Sequence, residues 1–195
     1  MTVIEDIFLS MIPYLLITIP FIMISRLLIY KIYKKKYIES TVLREILVWV
    51  FILYVVGIIS QTLLPRIILT DNGLLFQSYE YSSVNFEFFR VFRLVDRVGA
   101  YAFIRYFLCN MLMMVPISLF SCLLYNGAKA YRGIFIGFSG SVLIEFVQIF
   151  VGRCFDVDDI ILNTTGAIIG AMIYMLLVRF VPEFIQKCRL QRKEG

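Results

Sequence analysis

Glu145, Gln148, Arg153, Asp156, Asp159 and Asn163 place three carboxylates, two amides and a guanidinium in one short stretch, with Asp158 as a further acid. A carboxylate shielded from water can serve as a general acid or base, which makes Glu145, Asp156 and Asp159 the candidate catalytic residues. Grouped carboxylates also supply the oxygen ligands that Mg²⁺ or Ca²⁺ prefers. The same three residues are therefore the candidate metal set, although D-V-D-D at 156–159 lacks the length and glycine of a calcium loop. Asn110, Gln148, Arg153 and Asn163 are candidates for holding substrate. A second group, Arg90, Arg93 and Arg97, recurs at spacings of three and four, on one face of a helix. Guanidinium forks suit phosphate oxygens, so these arginines join the candidate binding residues. The chain has no histidine, which excludes a Ser-His-Asp or Cys-His catalytic unit and any imidazole metal site.

These groups sit in a very apolar chain. Of 195 residues, 61% are hydrophobic and only 17% charged, with a mean hydropathy of +0.86. About 20 apolar residues cross a membrane as a helix. Five windows qualify, at about 7–29, 46–64, 106–124, 133–151 and 160–178. Glu5 and Asp6 precede the first, so it reads as a retained span and not a cleaved signal. The expected fold is an all-α, polytopic transmembrane helix bundle forming a single membrane domain, 1–195.

Orientation follows from lysine and arginine placement. Lys31, Lys34, Lys35, Lys36 and Arg44 follow the first span; Lys129 and Arg132 follow the third. Lys187, Arg189, Arg192 and Lys193 follow the fifth. All three segments fall on one side, assigned to the cytoplasm. The N-terminus, residues 65–105 and residues 152–159 then face outward, and the C-terminus is cytoplasmic. The segment FRVFRLVDRVGAYAFIR reads as an outer interfacial amphipathic helix. The basic tail reads as a contact for the anionic inner leaflet, not as a nucleic-acid site.

Helical spacing gathers the polar groups. Gly133, Gly137, Ser141 and Glu145 are four apart and form one stripe, which Gln148 extends. Asp156, Asp159 and Asn163 align with Gly166 and Gly170 on the fifth span. Small residues let helices approach closely, so stripe against stripe would bring the acids and amides together near the outer end. Asn110 on the third span reaches the same layer. Asp158 or Asp159 would cap the fifth helix, with Asp158 directed to Arg153 or solvent. Glu145 lies about 9 Å inside its helix end. A carboxylate at mid-span costs about 2.5–3.5 kcal/mol on insertion scales, so it should face protein or water. The plainest account is a Glu–Gln–Asn network that only locks helices together.

These residues resemble a known family. E-x-x-Q followed by G-R-x-F-D-x-D-D-x-x-x-N-T-x-G-x-x-x-G is similar to the VanZ-like proteins of bacterial membranes. Here it reads Glu145, Gln148, Gly152, Arg153, Phe155, Asp156, Asp158, Asp159, Asn163, Thr164, Gly166 and Gly170. Asn110 and Pro116 match an upstream N-x-x-x-x-x-P element, and 83–89 resembles S-x-N-x-x-P-F. Phe88 stands in place of the usual proline and Ser118 in place of a glycine. The resemblance covers about 82–175. It implies a cell-envelope role in the bacterial cytoplasmic membrane, linked to resistance to the glycopeptide teicoplanin.

The expected function is an outward-facing acidic and amide pocket that binds or acts on an anionic lipid or a lipid-linked wall precursor. One alternative is a metal-dependent hydrolase or transferase working on a phosphate-bearing envelope lipid. The other is the purely structural network.

Overall fold

A computed structural model describes residues 3–35, 38–70, 73–77, 83–90, 92 and 99–192. The chain divides into two compact units, residues 1–78 with 186–195 and residues 79–185. The fold is mostly helical. Five helices are long and apolar enough to cross a membrane, with mean hydropathies between 1.8 and 2.4.

In the first unit, α1 (Val3–Lys35) and α2 (Val42–Thr62) pack side by side, with Pro13 and Pro20 inside α1. Contact is close at Gly57, where a Cβ would overlap the Met11 methyl group. Gln61 donates to Ser10 Oγ at 3.1 Å and Tyr14 to the Pro65 carbonyl at 2.6 Å. Thr41 caps α2 by accepting the Arg44 N–H at 3.1 Å. Two small antiparallel pairings complete the unit. β1 (Ile38–Glu39) pairs with β6 (Gln191–Arg192), and β2 (Arg66–Thr70) with β3 (Gly73–Gln77). The β-branched run RIILT favours that second ladder.

The second unit holds α3 (Ala100–Leu124), α4 (Ala130–Phe150) and α5 (Val157–Phe180), then the short α6 (Pro182–Lys187), which runs past its boundary. It also holds one parallel pairing, β4 (Ser83–Asn85) with β5 (Cys154–Asp156), in the register Asn85↔Asp156. An all-α reading therefore omits three short two-stranded pairings. The third span begins at Ala100, earlier than Tyr106, because GAYAFIR continues the helix without a breaker.

The glycine stripes pack differently from the stripe-on-stripe expectation. Gly166 and Gly170 lie against α3, at the Met111 and Val115 carbonyls. Gly137 faces Ala167 of α5, while Gly133 faces Ser118 and Cys122 of α3. The small residues thus serve three helix contacts, so α3, α4 and α5 close on one another. Met114, Cys122, Ala167 and Ala171 are at most 1% exposed within this seam. Leu143, Phe146, Phe150, Met172 and Leu176 are exposed, as a lipid-facing surface requires.

α4 ends where Gly152 takes φ +80°, a left-handed position that glycine occupies without strain. The Arg153 N–H then returns to the Gln148 carbonyl at 2.9 Å. This tight reversal joins α4 to β5 and fixes how Asp156 approaches Glu145.

Candidate functional site

The polar residues converge at one end of the second unit, where α4 ends, α5 begins and β4 runs alongside. Glu145, in the next-to-last turn of α4, is 2% exposed. Its Oε2 accepts the Asp156 backbone N–H at 2.9 Å. With its amide oriented to match donors and acceptors, Gln148 donates to Glu145 Oε2 and Oε1 at 3.2 and 3.3 Å and to the Cys154 carbonyl at 3.2 Å. The carboxylate is thus held by amide donors on two sides.

Asp156 is the residue that caps α5, not Asp158 or Asp159. Its Oδ1 accepts the Asp158 N–H at 3.0 Å and the Asn85 side-chain amide at 3.0 Å. The reason is local: Asp156 ends β5 with extended φ and ψ, the conformation a capping residue needs. Asp158 does not turn to solvent. It is 3% exposed and accepts the Phe89 N–H at 2.7 Å. Phe89 has φ +61°, unusual for a bulky side chain, and that bond helps hold it there. The 83–89 segment is therefore fastened to the α5 N-terminus by Asn85 and Phe89.

Asp159 Oδ1 accepts a hydrogen bond from the Tyr106 hydroxyl and a second from the Asn110 amide at 2.6 Å. Both donors lie on α3, four residues apart, so one helical face presents them together. One turn deeper, Asn163 is 1% exposed and donates to Ser141 Oγ at 2.9 Å. Arg153 is half-buried, and its charge acts on both Glu145 and Asp159.

The structure thus brings Asn110, Glu145, Gln148, Arg153, Asp156 and Asp159 together, with Asn163 just beneath. Arg90 is exposed, while Arg93 and Arg97, with 91, 94–96 and 98 of the expected interfacial helix, lie outside the described residues. Tyr106, Asn85 and the Phe89 N–H are partners that the sequence reading did not place in the site. Asn85 had a signal, in the S-x-N element; Tyr106 had only its position one turn before Asn110.

The three-carboxylate metal set fares differently. Among the described residues, no group of three or more Cys, Asp or Glu side chains comes together to hold a metal ion. The physical reason is that each acid is turned to its own N–H or O–H donor. Glu145 turns to the Asp156 N–H, the Asp156 side chain to the Asp158 N–H and Asn85, and Asp159 to the Tyr106 and Asn110 donors of α3.

The double role of Asp156 gives a direct test. Asp156→Ala removes a helix cap, about 1 kcal/mol, and the Asn85 bond, about another 1 kcal/mol. Thermal melting in detergent should show a loss of about 2 kcal/mol, with Asp156→Asn losing less than half of that. Equal melting of Asp156→Ala and wild type would remove Asp156 from this role.

No curated protein and no solved structure matches the chain. A family's sequence model does, over residues 51–178, a stretch that takes in most of α2 and every residue that converges at the polar end. Five membrane-length helices agree with a multi-pass membrane protein, and the match covers well over half of the sequence: the chain belongs to the VanZ/LLP1 family.

Proposed function

We propose that the polar end of α3, α4 and α5 is a binding site on the outer side of a bacterial cytoplasmic membrane. Its ligand is the head of an anionic lipid or lipid-linked wall precursor, and its occupation contributes to glycopeptide resistance. The observation that carries this reading is Glu145: a carboxyl 2% exposed inside a membrane-length helix, where helix locking alone would be served by a neutral amide. Ionised carboxylates only accept hydrogen bonds. Several of them at one end of the bundle favour ligand O–H and N–H groups, which a glycan or peptide head offers in number. Arg153, with Arg90, Arg93 and Arg97 in the preceding segment, supplies the charge for the phosphate. The outward orientation rests on the lysine and arginine bias of the connecting segments.

Binding to purified protein tests the reading. Wild type in detergent should be stabilised by polyprenyl phosphate or by a polyprenyl-diphosphate-linked disaccharide peptide, and not by an uncharged polyprenol. Asp159→Asn should weaken that stabilisation about ten-fold or more, the loss expected for a hydrogen bond to a charged group. If neither phosphate lipid raises the melting temperature of wild type, the binding site is wrong. Chromatography of the same mixtures reports turnover: an altered lipid head after incubation makes the site catalytic.

A further inference from the structure

The first unit contains a cationic cluster with no part in the site just described. Arg44, in the first turn of α2, is 6% exposed. Arg26 of α1 pairs with Glu45, and its side chain is 14% exposed. Arg44 Nη1 lies 3.6 Å from the other oxygen of the same Glu45. Two guanidiniums therefore share one carboxylate, which is further engaged by the Ser40 hydroxyl.

Among the described residues, one of the two guanidinium charges has no carboxylate of its own, at a largely buried place. Buried charge needs a partner. Both Arg26 Nε and Arg44 Nε are buried without a hydrogen-bond acceptor. Beyond Glu45, Arg44 Nη1 donates to Ser40 Oγ at 3.4 Å. The N-terminus of α2, which carries positive dipole and the helix's first free N–H groups, adjoins the cluster. The pairing of β1 with β6, and the bond from Thr41 Oγ1 to the Lys187 carbonyl, bring the basic C-terminal segment alongside. Unpaired buried donors, a surplus guanidinium charge and a helix N-terminus all ask for the same thing, a compact oxyanion.

We propose that Arg26, Arg44 and the N-terminus of α2 form a second site, which takes the phosphoryl group of an anionic lipid head or of a free phosphate. The guanidinium forks match phosphate oxygens in pairs, as a lysine would not. Basic pockets beside membrane helices take lipid phosphates in this manner. Glu45 keeps the two arginines in place and limits the affinity, because it competes for the same donors.

The test uses the full chain, delipidated in a phosphate-free maltoside detergent. Phosphatidylglycerol and inorganic phosphate are titrated separately while melting is followed, and native mass spectrometry counts retained lipid. A rise with phosphatidylglycerol alone identifies a lipid head; a rise with both identifies the phosphoryl group itself. A rise with neither overturns the proposal. Arg44→Gln should weaken half-saturation about ten-fold, and Arg26→Gln similarly, as expected on loss of a charge-assisted pair. Should Arg44→Gln not fold, Arg44→Lys keeps the charge, loses the fork and should still bind more weakly. Lys31→Gln, an exposed cation of α1, should bind like wild type. If Lys31→Gln weakens binding as much as the Arg44 variants do, the attraction is diffuse and there is no built site.

Discussion

Glu145→Gln is expected to accumulate in the membrane at the wild-type level, to melt at or slightly above the wild-type temperature, and to lose entirely the protection against teicoplanin that we propose for the wild type. The structural half of this follows from the hydrogen bonds. A glutamine at 145 retains an oxygen to accept the Asp156 N–H, now at 2.9 Å from Glu145 Oε2. It also removes a buried carboxyl, which is costly as a charge within a span. A network that only locks α4 to α5 would therefore work as well with glutamine, and resistance would persist. A site that needs an ionisable group at this position would fail. Glu145→Ala does not separate the two, because it opens a cavity and strands the Asp156 N–H, at about 2–4 kcal/mol. The measurement is the minimum inhibitory concentration of teicoplanin in cells carrying each variant, beside immunoblots of the membrane fraction and melting curves. Full resistance with Glu145→Gln would reduce the polar end to a helix lock.

How far the sequence reveals such a site depends on the range of the interactions. The stripe Gly133, Gly137, Ser141, Glu145 and Gln148 is legible because a helix repeats every 3.6 residues, and all five are buried together. The proximity of Glu145 to Asp156 is legible as well, since the short reversal at Gly152 leaves the chain no room to separate them. The partners of Asp158 and Asp159 are not. Asp158 reaches back to Phe89, and Asp159 to Tyr106 and Asn110, across long stretches of chain. Helical spacing says which way a side chain points, and nothing about which distant segment arrives there. For the same reason Asp158 looks like a surface charge in the sequence, although it anchors the 83–89 strand. The parallel pairing of β4 with β5 brings the 83–89 segment to it, where the Phe89 N–H donates to its carboxylate. The glycine stripes mislead in a related way. GxxxG spacing announces a close approach, but Gly166 and Gly170 meet α3, not the sequence-adjacent α4.

That contact makes Gly166 the position where the least added volume should do the most harm. A Cβ there would overlap the Met111 carbonyl oxygen and crowd its carbonyl carbon at 2.9 Å. Both are backbone atoms of α3, so no side chain can swing aside; the helices must separate. Overpacking a tight seam costs about 1–3 kcal/mol, and a backbone clash belongs at the upper end. Gly166→Ala should thus lower stability by about 3 kcal/mol. Gly140→Ala provides the contrast, because a Cβ there meets nothing within 4 Å. It should be neutral or gain about 0.5–1 kcal/mol from helix propensity. The consequence extends to the site. Met111 adjoins Asn110, so pushing α3 outward draws Asn110 and Tyr106 away from Asp159, to which both donate. Gly166→Ala protein that still folds should therefore bind the phosphate lipid as weakly as Asp159→Asn does. Melting curves and lipid titrations on the two glycine variants read both effects. Wild-type stability in Gly166→Ala would mean that α3 and α5 do not approach as closely as this seam requires.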